Sequence, residues 1–198
     1  MSAIAYWNGY SMPRSTLLVF LGQCVWYILP AYLANMAPLI IAMALGRRFA
    51  HPLDLALTLG GEPVLGAHKT FRGLLAGLVA AVTVACVQAW LYAWPSVRTL
   101  SLLPYDQVNP AWWGLLMGVG ALCGDALKSF IKRRRRIPPG RPWIPFGQID
   151  FLIGALALTS IVFTPPWSVV AGILIVMPVI KVLVGHVAYR VGLRPTAW

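Results

Sequence analysis

Five long apolar stretches divide this chain of 198 residues and restrict it to folds that cross a lipid bilayer. They cover residues 16–45, 73–94, 111–130, 151–164 and 167–188. A helix needs about 20 apolar residues to cross the hydrocarbon core. A backbone in lipid must also satisfy its own hydrogen bonds, which a helix does within one segment. The sequence therefore predicts an all-α polytopic membrane protein with about five transmembrane helices.

The overall composition supports a location in the cell membrane. Hydrophobic residues make up 59% of the chain and charged residues 11%, whereas soluble domains carry about 25% charged residues. The formal net charge of +11 raises nucleic-acid binding as an alternative, but the basic residues lie between apolar stretches and form no hydrophilic domain. We expect one integral membrane domain over residues 1–198, multi-pass, with no nucleic-acid partner and no protein partner identified.

Two of the apolar stretches have irregular lengths. The first is too long for one straight crossing and too short for two, and it contains Pro30, Asn35 and Pro38. It predicts one kinked or partly re-entrant helix. The fourth is short and ends at Pro165 and Pro166. We expect it to form a tight hairpin with the fifth, with both prolines in the bend.

The basic residues alternate between the connecting segments and so predict the topology. With five spans, 14 of the 16 Lys and Arg residues fall on one side of the membrane. Cytoplasmic loops carry the excess of positive charge. The N-terminus is therefore expected outside and the C-terminus in the cytoplasm. Loops over about residues 46–72 and 131–149 would form a site that faces the cytoplasm.

A polar stripe lies at the inner end of the third predicted span. At 100° per residue, one narrow helical face carries a carboxylate, two ammonium groups and a hydroxyl, from Asp125, Lys128, Lys132 and Ser129. Ionisable groups at such a depth usually face a wet cavity or a partner. For Lys132 a second interpretation stays open, because a lysine can extend to the interface without any function.

A second carboxylate, Asp150, follows the basic run of residues 133–136 and stands at the start of the fourth span. The third and fourth helices are antiparallel neighbours, so Asp125 and Asp150 should meet at the cytoplasmic end. Mg²⁺ is typically held by one or two carboxylates and substrate phosphates, so the pair predicts a Mg²⁺ site. Two alternatives remain: Asp150 as a helix N-cap, and the arginine run as a topology signal or a contact with membrane lipids.

The other cytoplasmic loop contains the segment GAHKTFRG, residues 66–73. Lys69, Thr70 and Arg72 offer an ammonium, a hydroxyl and a guanidinium group, and the flanking glycines let backbone N–H groups approach a phosphate. An ordinary basic flank of a membrane span is the alternative. In the third span, Gly114, Gly118, Gly120 and Gly124 follow small-xxx-small patterns, which predict close helix packing.

Together, GAHKTFRG, GDALKSFIKRRRRIPPG and PFGQIDFLIGA resemble the CDP-archaeol synthases, an archaeal family of CTP-dependent cytidylyltransferases that activate membrane lipids. The related CDP-diacylglycerol synthases have a Lys-Arg pair followed by an Asp-Arg-x-Asp segment. The pair matches Lys132 and Arg133, and the second acid matches Asp150, but Gly147 stands at the first acidic position. Ala67 and His68 also replace an acidic residue that usually precedes the Lys-Thr pair of the archaeal family.

The resemblance implies Mg²⁺-dependent transfer of CMP from CTP to an unsaturated archaetidic acid, a bis-geranylgeranylglycerol phosphate. The products would be CDP-archaeol and pyrophosphate. Asp125 and Asp150 are the expected metal ligands, and Lys128, Lys132 and Arg133 the other expected catalytic residues. Nucleotide contacts are expected from Lys69, Thr70, Arg72 and Ser129. The partners would be CTP, the lipid phosphate and membrane lipids.

Two other functions remain open from the sequence. A CTP-dependent polyprenol kinase would use a similar site but transfer the γ-phosphate. A non-enzymatic membrane protein that handles anions would also need a basic cavity, although transporters usually place polar groups near the bilayer midplane.

Overall fold

The computed structural model describes residues 17–46, 48–138, 141, 143 and 146–191. This part of the chain is mostly helical, and one small antiparallel hairpin of strands β1 (Thr58–Leu59) and β2 (Glu62–Pro63) lies between the first two helices. The helices in chain order are α1 (Leu17–Leu45), α2 (Phe71–Leu91), α3 (Pro95–Arg98), α4 (Pro110–Arg134), α5 (Phe146–Thr159) and α6 (Trp167–Arg190).

Four of these helices, α1, α2, α4 and α6, are long and apolar enough to cross a membrane. The fourth predicted span, α5, is apolar but has only 14 residues. At 1.5 Å per residue it measures about 21 Å, shorter than a hydrocarbon core of about 30 Å. The structure thus confirms a polytopic helical protein, with four full-length candidate spans and one shorter helix.

The two irregular stretches form continuous elements. Helix α1 runs unbroken for 29 residues with Pro30 and Pro38 inside it, so the first stretch is a single helix and not a re-entrant segment. Helices α5 and α6 are joined by a short connection, and Pro166 is the residue that precedes α6. The predicted hairpin with its prolines in the bend is confirmed.

Glycines on α4 allow two neighbouring helices to approach it closely, as the small-residue pattern predicted. A Cβ atom added to Gly114 would lie 2.7 Å from Cα of Val82 on α2. One added to Gly120 would lie 2.5 Å from the carbonyl oxygen of Gly154 on α5. Real side chains do not tolerate such distances. Helix α4 therefore occupies a central position, and α5 packs directly along it.

The side chains between the helices form a continuous apolar core that includes Tyr27, Trp113 and Phe151. Many large apolar side chains on the outer faces are exposed, among them Val79 on α2 and Ile175 on α6. Exposed apolar faces on helices of this length are typical of contact with lipid.

Candidate active site

Four charged side chains form a chain of ion pairs at one end of the bundle: Lys69, Asp125, Lys128 and Asp150, here called the charged cluster. Lys69 Nζ contacts Asp125 Oδ2. Lys128 Nζ lies 2.8 Å from Asp125 Oδ1 and 2.6 Å from Asp150 Oδ2. The predicted meeting of Asp125 and Asp150 is therefore confirmed, and one lysine lies between the two carboxylates.

Three separate elements bring the cluster together. Asp125 and Lys128 lie nearly one turn apart on α4, so they share a face. Lys69 precedes the N-cap residue of α2, Thr70, whose hydroxyl accepts a hydrogen bond of 3.2 Å from Gly73 N–H. Asp150 reaches the cluster from α5, because Gly124 of α4 contacts the main chain at Asp150 so closely that a Cβ would overlap its carbonyl oxygen.

Asp150 lies inside α5 and is not its N-cap. The helix begins at Phe146, so Asp150 falls in its second turn, and the N-cap alternative is wrong. Its side chain is only 5% exposed. Asp150 Oδ1 is buried and has no hydrogen-bond partner among the residues that the structure describes. An unsatisfied buried carboxylate oxygen is costly, so it is a candidate ligand for a cation.

The two carboxylates fit a divalent cation of the Mg²⁺ type. They already contact one shared positive charge, Lys128, and one oxygen of Asp150 is still available. Within the described residues, no group of three or more His, Cys, Asp or Glu side chains could hold a metal. The protein would therefore contribute two carboxylates, which suits a cation that takes its remaining ligands from phosphate and water.

Cavities lie on both sides of α4 beside the cluster. The larger, of about 610 Å³, is lined mainly by apolar residues of α4 and α5, and its charged lining residues are Lys128 and Asp150. The smaller, of about 140 Å³, includes Lys69 and Asp125 in its lining. The arrangement places a charged end beside apolar space, which suits a ligand with an anionic head and an apolar body.

Three other candidate site residues, Ser129, Lys132 and Arg72, donate hydrogen bonds to main-chain carbonyl oxygens. The hydroxyl of Ser129 donates to the carbonyl oxygen of Asp125 at 2.9 Å. Lys132 Nζ donates to the carbonyl oxygen of Arg141 at 2.5 Å. Arg133 Nε is buried without a hydrogen-bond partner in the described part of the chain. The guanidinium group of Arg72 donates to the carbonyl oxygens of Arg48 and Gly46. A contact between these four residues and a substrate stays a prediction.

Asp54, which no sequence pattern indicated, organises the loop before α2. Its Oδ2 accepts hydrogen bonds from the backbone N–H groups of Leu65 and Gly66, at 2.8 and 2.9 Å, and its Oδ1 accepts one from Ala56 at 3.2 Å. The N–H groups of Gly66 and Leu65 hold the pKa of Asp54 below its usual value. Lys69 is joined to the same loop, since its N–H donates to Gly66 and its carbonyl accepts from Leu53 N–H.

The contacts that two basic residues, Arg134 and Lys181, make with main-chain carbonyl groups were also not predicted. Arg134, at the end of α4, donates to the carbonyl oxygens of Leu59, Glu62 and Pro63 and so holds the β-hairpin against α4. Lys181, inside α6, donates to the carbonyl oxygen of Gly147 at 2.9 Å. The sequence offered one signal for Lys181, an isolated lysine within an apolar stretch.

Comparison with known proteins gives a consistent result. The chain matches the sequence model of the CarS-like CDP-archaeol synthase family over residues 17–198. The CDP-archaeol synthase of Pyrococcus furiosus is 36% identical over 177 residues, which cover 89% of this chain and 97% of that protein. The CDP-archaeol synthase of Thermofilum pendens is 34% identical over 175 residues, covering 87% of this chain and 78% of that protein.

A solved structure has the same fold. It was described as an intramembrane enzyme for archaeal membrane lipids biosynthesis, is 29% identical, and aligns with a TM-score of 0.64. The alignment covers 84% of this chain and 92% of that chain. Family match, relatives and fold agree over most of the sequence, so this chain is a multi-pass membrane enzyme of the CDP-archaeol synthase family.

Proposed function

We propose that this enzyme transfers CMP from CTP to the phosphate of an unsaturated archaetidic acid, a bis-geranylgeranylglycerol phosphate, and so forms CDP-archaeol and pyrophosphate. The observation that carries the proposal is the charged cluster beside the 610 Å³ cavity between α4 and α5. Two carboxylates and two lysines at the head of an apolar space match the chemistry of a nucleotide and a lipid phosphate.

The reaction needs little acid–base chemistry from the protein. A phosphate oxygen of the lipid, already ionised at neutral pH, attacks the α-phosphorus of CTP. The new bond joins the lipid phosphate oxygen to the α-phosphorus, and the bond from that phosphorus to the bridging oxygen of the β-phosphate breaks. Pyrophosphate leaves with the electron pair. The barrier arises mainly from bringing anions together in line, so positioning and fixed positive charge are the expected contributions of the enzyme.

Lys69 and Lys128 are the cations best placed to supply that charge, because both already lie on Asp125 within the cluster. In the proposal they contact the phosphates of the nucleotide, with Lys132 and Arg133 beside them on the last turn of α4. Thr70, Arg72 and Ser129 would contact or border the nucleotide. In the structure, hydrogen bonds of these three side chains also stabilise α2 and α4 locally.

Asp125 and Asp150 would hold Mg²⁺, which when bound neutralises phosphate charge and polarises the α-phosphate. Asp150 would add the available buried oxygen, and Asp125 would add a carboxylate now shared by two lysines. Lys69 and Lys128, which contact these carboxylates, would lie beside the nucleotide phosphates when Asp125 and Asp150 hold the metal. The cluster would thus be preorganised for a substrate that brings its own negative charge.

The active site is proposed to face the cytoplasm. Its residues lie at the ends of α2, α4 and α5 that adjoin the basic loops, and positive loops are normally cytoplasmic. The apolar tails of the lipid would remain between helices at the inner leaflet, where the cavity beside α5 is lined by apolar residues such as Ile153 and Leu158.

The test uses purified enzyme in lipid-containing detergent with Mg²⁺ and a bis-geranylgeranylglycerol phosphate. CTP labelled in the α-phosphate should give a labelled CDP-lipid on thin-layer chromatography, whereas CTP labelled in the γ-phosphate should give labelled pyrophosphate. Labelled lipid from the γ-labelled nucleotide with a polyprenol acceptor would identify a kinase instead. Parallel reactions with ATP, GTP and UTP measure base preference, and absence of any labelled lipid would overturn the proposal.

A further inference from the structure

Lys181 lies inside a candidate membrane span. Its ammonium group forms no ion pair with any described residue. Its Nζ donates a hydrogen bond of 2.9 Å to the carbonyl oxygen of Gly147 and lies 4.6 Å from the centre of the Phe151 ring. A carbonyl and an aromatic ring stabilise an ammonium only partly. Charged groups at such positions are costly and usually serve a function.

The charge balance around Lys181 favours an anionic partner. Asp125 and Asp150 are already matched by Lys69 and Lys128 in the charged cluster. Lys181 lies next to this cluster, because its ammonium contacts Gly147 and Phe151, which flank Asp150 in α5. Lys181 therefore has no ion-pair partner of its own among the described residues, and an anion bound beside it would supply one.

Gly147, whose carbonyl oxygen accepts the Lys181 hydrogen bond, also leaves space at the first turn of α5. A Cβ built at Gly147 meets no described atom within 4 Å, and the backbone there is not in the left-handed region. No described residue therefore occupies the side of the first turn of α5 where a side chain at residue 147 would project. The Gly147 carbonyl oxygen of this turn already accepts a hydrogen bond from the Lys181 ammonium. A ligand oxygen can approach the same turn.

We propose that Lys181 is an additional phosphate-binding residue of the active site, and that its ammonium binds a polyphosphate oxyanion beside Gly147 and the first turn of α5. The inference rests on the proposed function, because it assigns the anion to the nucleotide or to its pyrophosphate product. With this role for Lys181, α6 contributes a residue to the active site, whereas the charged cluster contains no residue of α6.

The first experiment measures binding of pyrophosphate, and separately of CTP, to the purified full-length enzyme in EDTA, so that no metal contributes. Lys181→Met keeps an unbranched chain over Phe151 but removes the charge, and it should weaken binding of both probes roughly tenfold or more. Lys181→Arg should retain most of the affinity. Arg190→Gln, on the same helix but at its exposed end, is the matched control for loss of one positive charge.

A double-mutant cycle tests the location. The open space at residue 147 allows Gly147→Asp, which adds a carboxylate to the turn that Lys181 contacts and should weaken metal-free pyrophosphate binding. Gly147→Asn is the uncharged control and should have a smaller effect. If the new carboxylate pairs with Lys181, Lys181→Met should lose most of its effect in the Gly147→Asp background. Fully additive effects would place the phosphate away from this pair and overturn the inference.

A structural role gives a different pattern. If Lys181 only joins α6 to α5, Lys181→Met should lower the unfolding temperature without ligand while folded enzyme binds pyrophosphate with wild-type affinity, and this overturns the inference. Lack of pyrophosphate binding by the wild-type enzyme does so as well. Failure of the wild type to form CDP-lipid counts against the proposed function alone, because metal-free binding is measured without turnover.

Discussion

The Lys128 ammonium lies between two carboxylates, 2.8 Å from Asp125 Oδ1 and 2.6 Å from Asp150 Oδ2. Asp125 and Lys128 belong to α4 and Asp150 to α5. The lysine thus joins the two helices whose main chains approach at Gly124 and Asp150. Its position lets one side chain hold the carboxylates together before a substrate arrives.

Lys69→Ala and Lys128→Ala should each reduce kcat/KM for CTP about tenfold to a hundredfold. A charge-assisted hydrogen bond contributes roughly 1.5 to 3 kcal/mol, and each 1.4 kcal/mol is a factor of ten. Arg135→Ala and Arg136→Ala remove the same charge from exposed positions after α4 and should have smaller effects. Equal small losses in all four variants would indicate a diffuse electrostatic contribution and no specific contact.

Asp125→Asn and Asp150→Asn should abolish turnover while the variants still insert and fold. Asn has nearly the shape of Asp but lacks the charge that Mg²⁺ requires. Activity and thermal unfolding in detergent should be measured on the same samples, because an acid with a purely structural role would lower stability and leave activity per folded molecule intact. Near-normal Mg²⁺-dependent activity in either variant removes that carboxylate from the metal site.

Helical periodicity and span order were sufficient to predict the core of the cluster. Asp125 and Lys128 share a face because they are three residues apart in one helix, and Asp150 meets them because consecutive spans are antiparallel neighbours. The position of Asp150 within α5 was not predicted. The predicted loop of about residues 131–149 included Gly147 and Gln148, but both lie in α5, and Gly147 N–H donates to the Trp143 carbonyl oxygen at 2.7 Å.

The organising contacts of Asp54, Arg134 and Lys181 could not be read from the sequence. Their partners are backbone amides and carbonyls, and every residue type provides these groups. Arg134 reaches carbonyls more than 70 residues earlier in the chain, and Lys181 reaches one 34 residues earlier. No residue pattern marks such a partner, so only the folded main chain identifies it.

Gly124→Ala should disturb the site more than Gly147→Ala. A Cβ at residue 124 would overlap the Asp150 carbonyl oxygen, whereas one at residue 147 meets no described atom within 4 Å. Because α5 must move to relieve the overlap, Gly124→Ala should displace Asp150, lower the unfolding temperature and reduce activity. Both variants add one methyl group, so similar behaviour would show that close approach of α4 and α5 is not needed.

The topology prediction places the connection at α3 outside and the connection after α4 in the cytoplasm. In a background with Cys24, Cys86 and Cys123 replaced by Ala, Ser96→Cys should react with an impermeant thiol reagent added to intact cells. Arg135→Cys should react only after the membrane is opened. Both positions are exposed in the structure, so access to the reagent depends on the side of the membrane, and the reverse labelling pattern would invert the orientation.

Asp54→Asn should destabilise the loop that carries Lys69, and its effect should depend on pH. The carboxylate accepts three backbone hydrogen bonds, and its pKa is lower in the folded protein than the usual value of 3.8. A depressed pKa adds stability that is fully present well above the unfolded pKa and is lost as pH falls through the folded one.

The unfolding temperatures of wild type and Asp54→Asn should therefore differ most near neutral pH and converge below about pH 4. The variant should also lower kcat/KM for CTP, because Lys69 is bonded through its backbone to Gly66 and Leu53 of the same loop. Asp106→Asn, an acid-to-amide change in the connection between α3 and α4, is the control for loss of one carboxylate. A stability difference that is constant from pH 3 to 7 would mean that the Asp54 charge does not hold the loop.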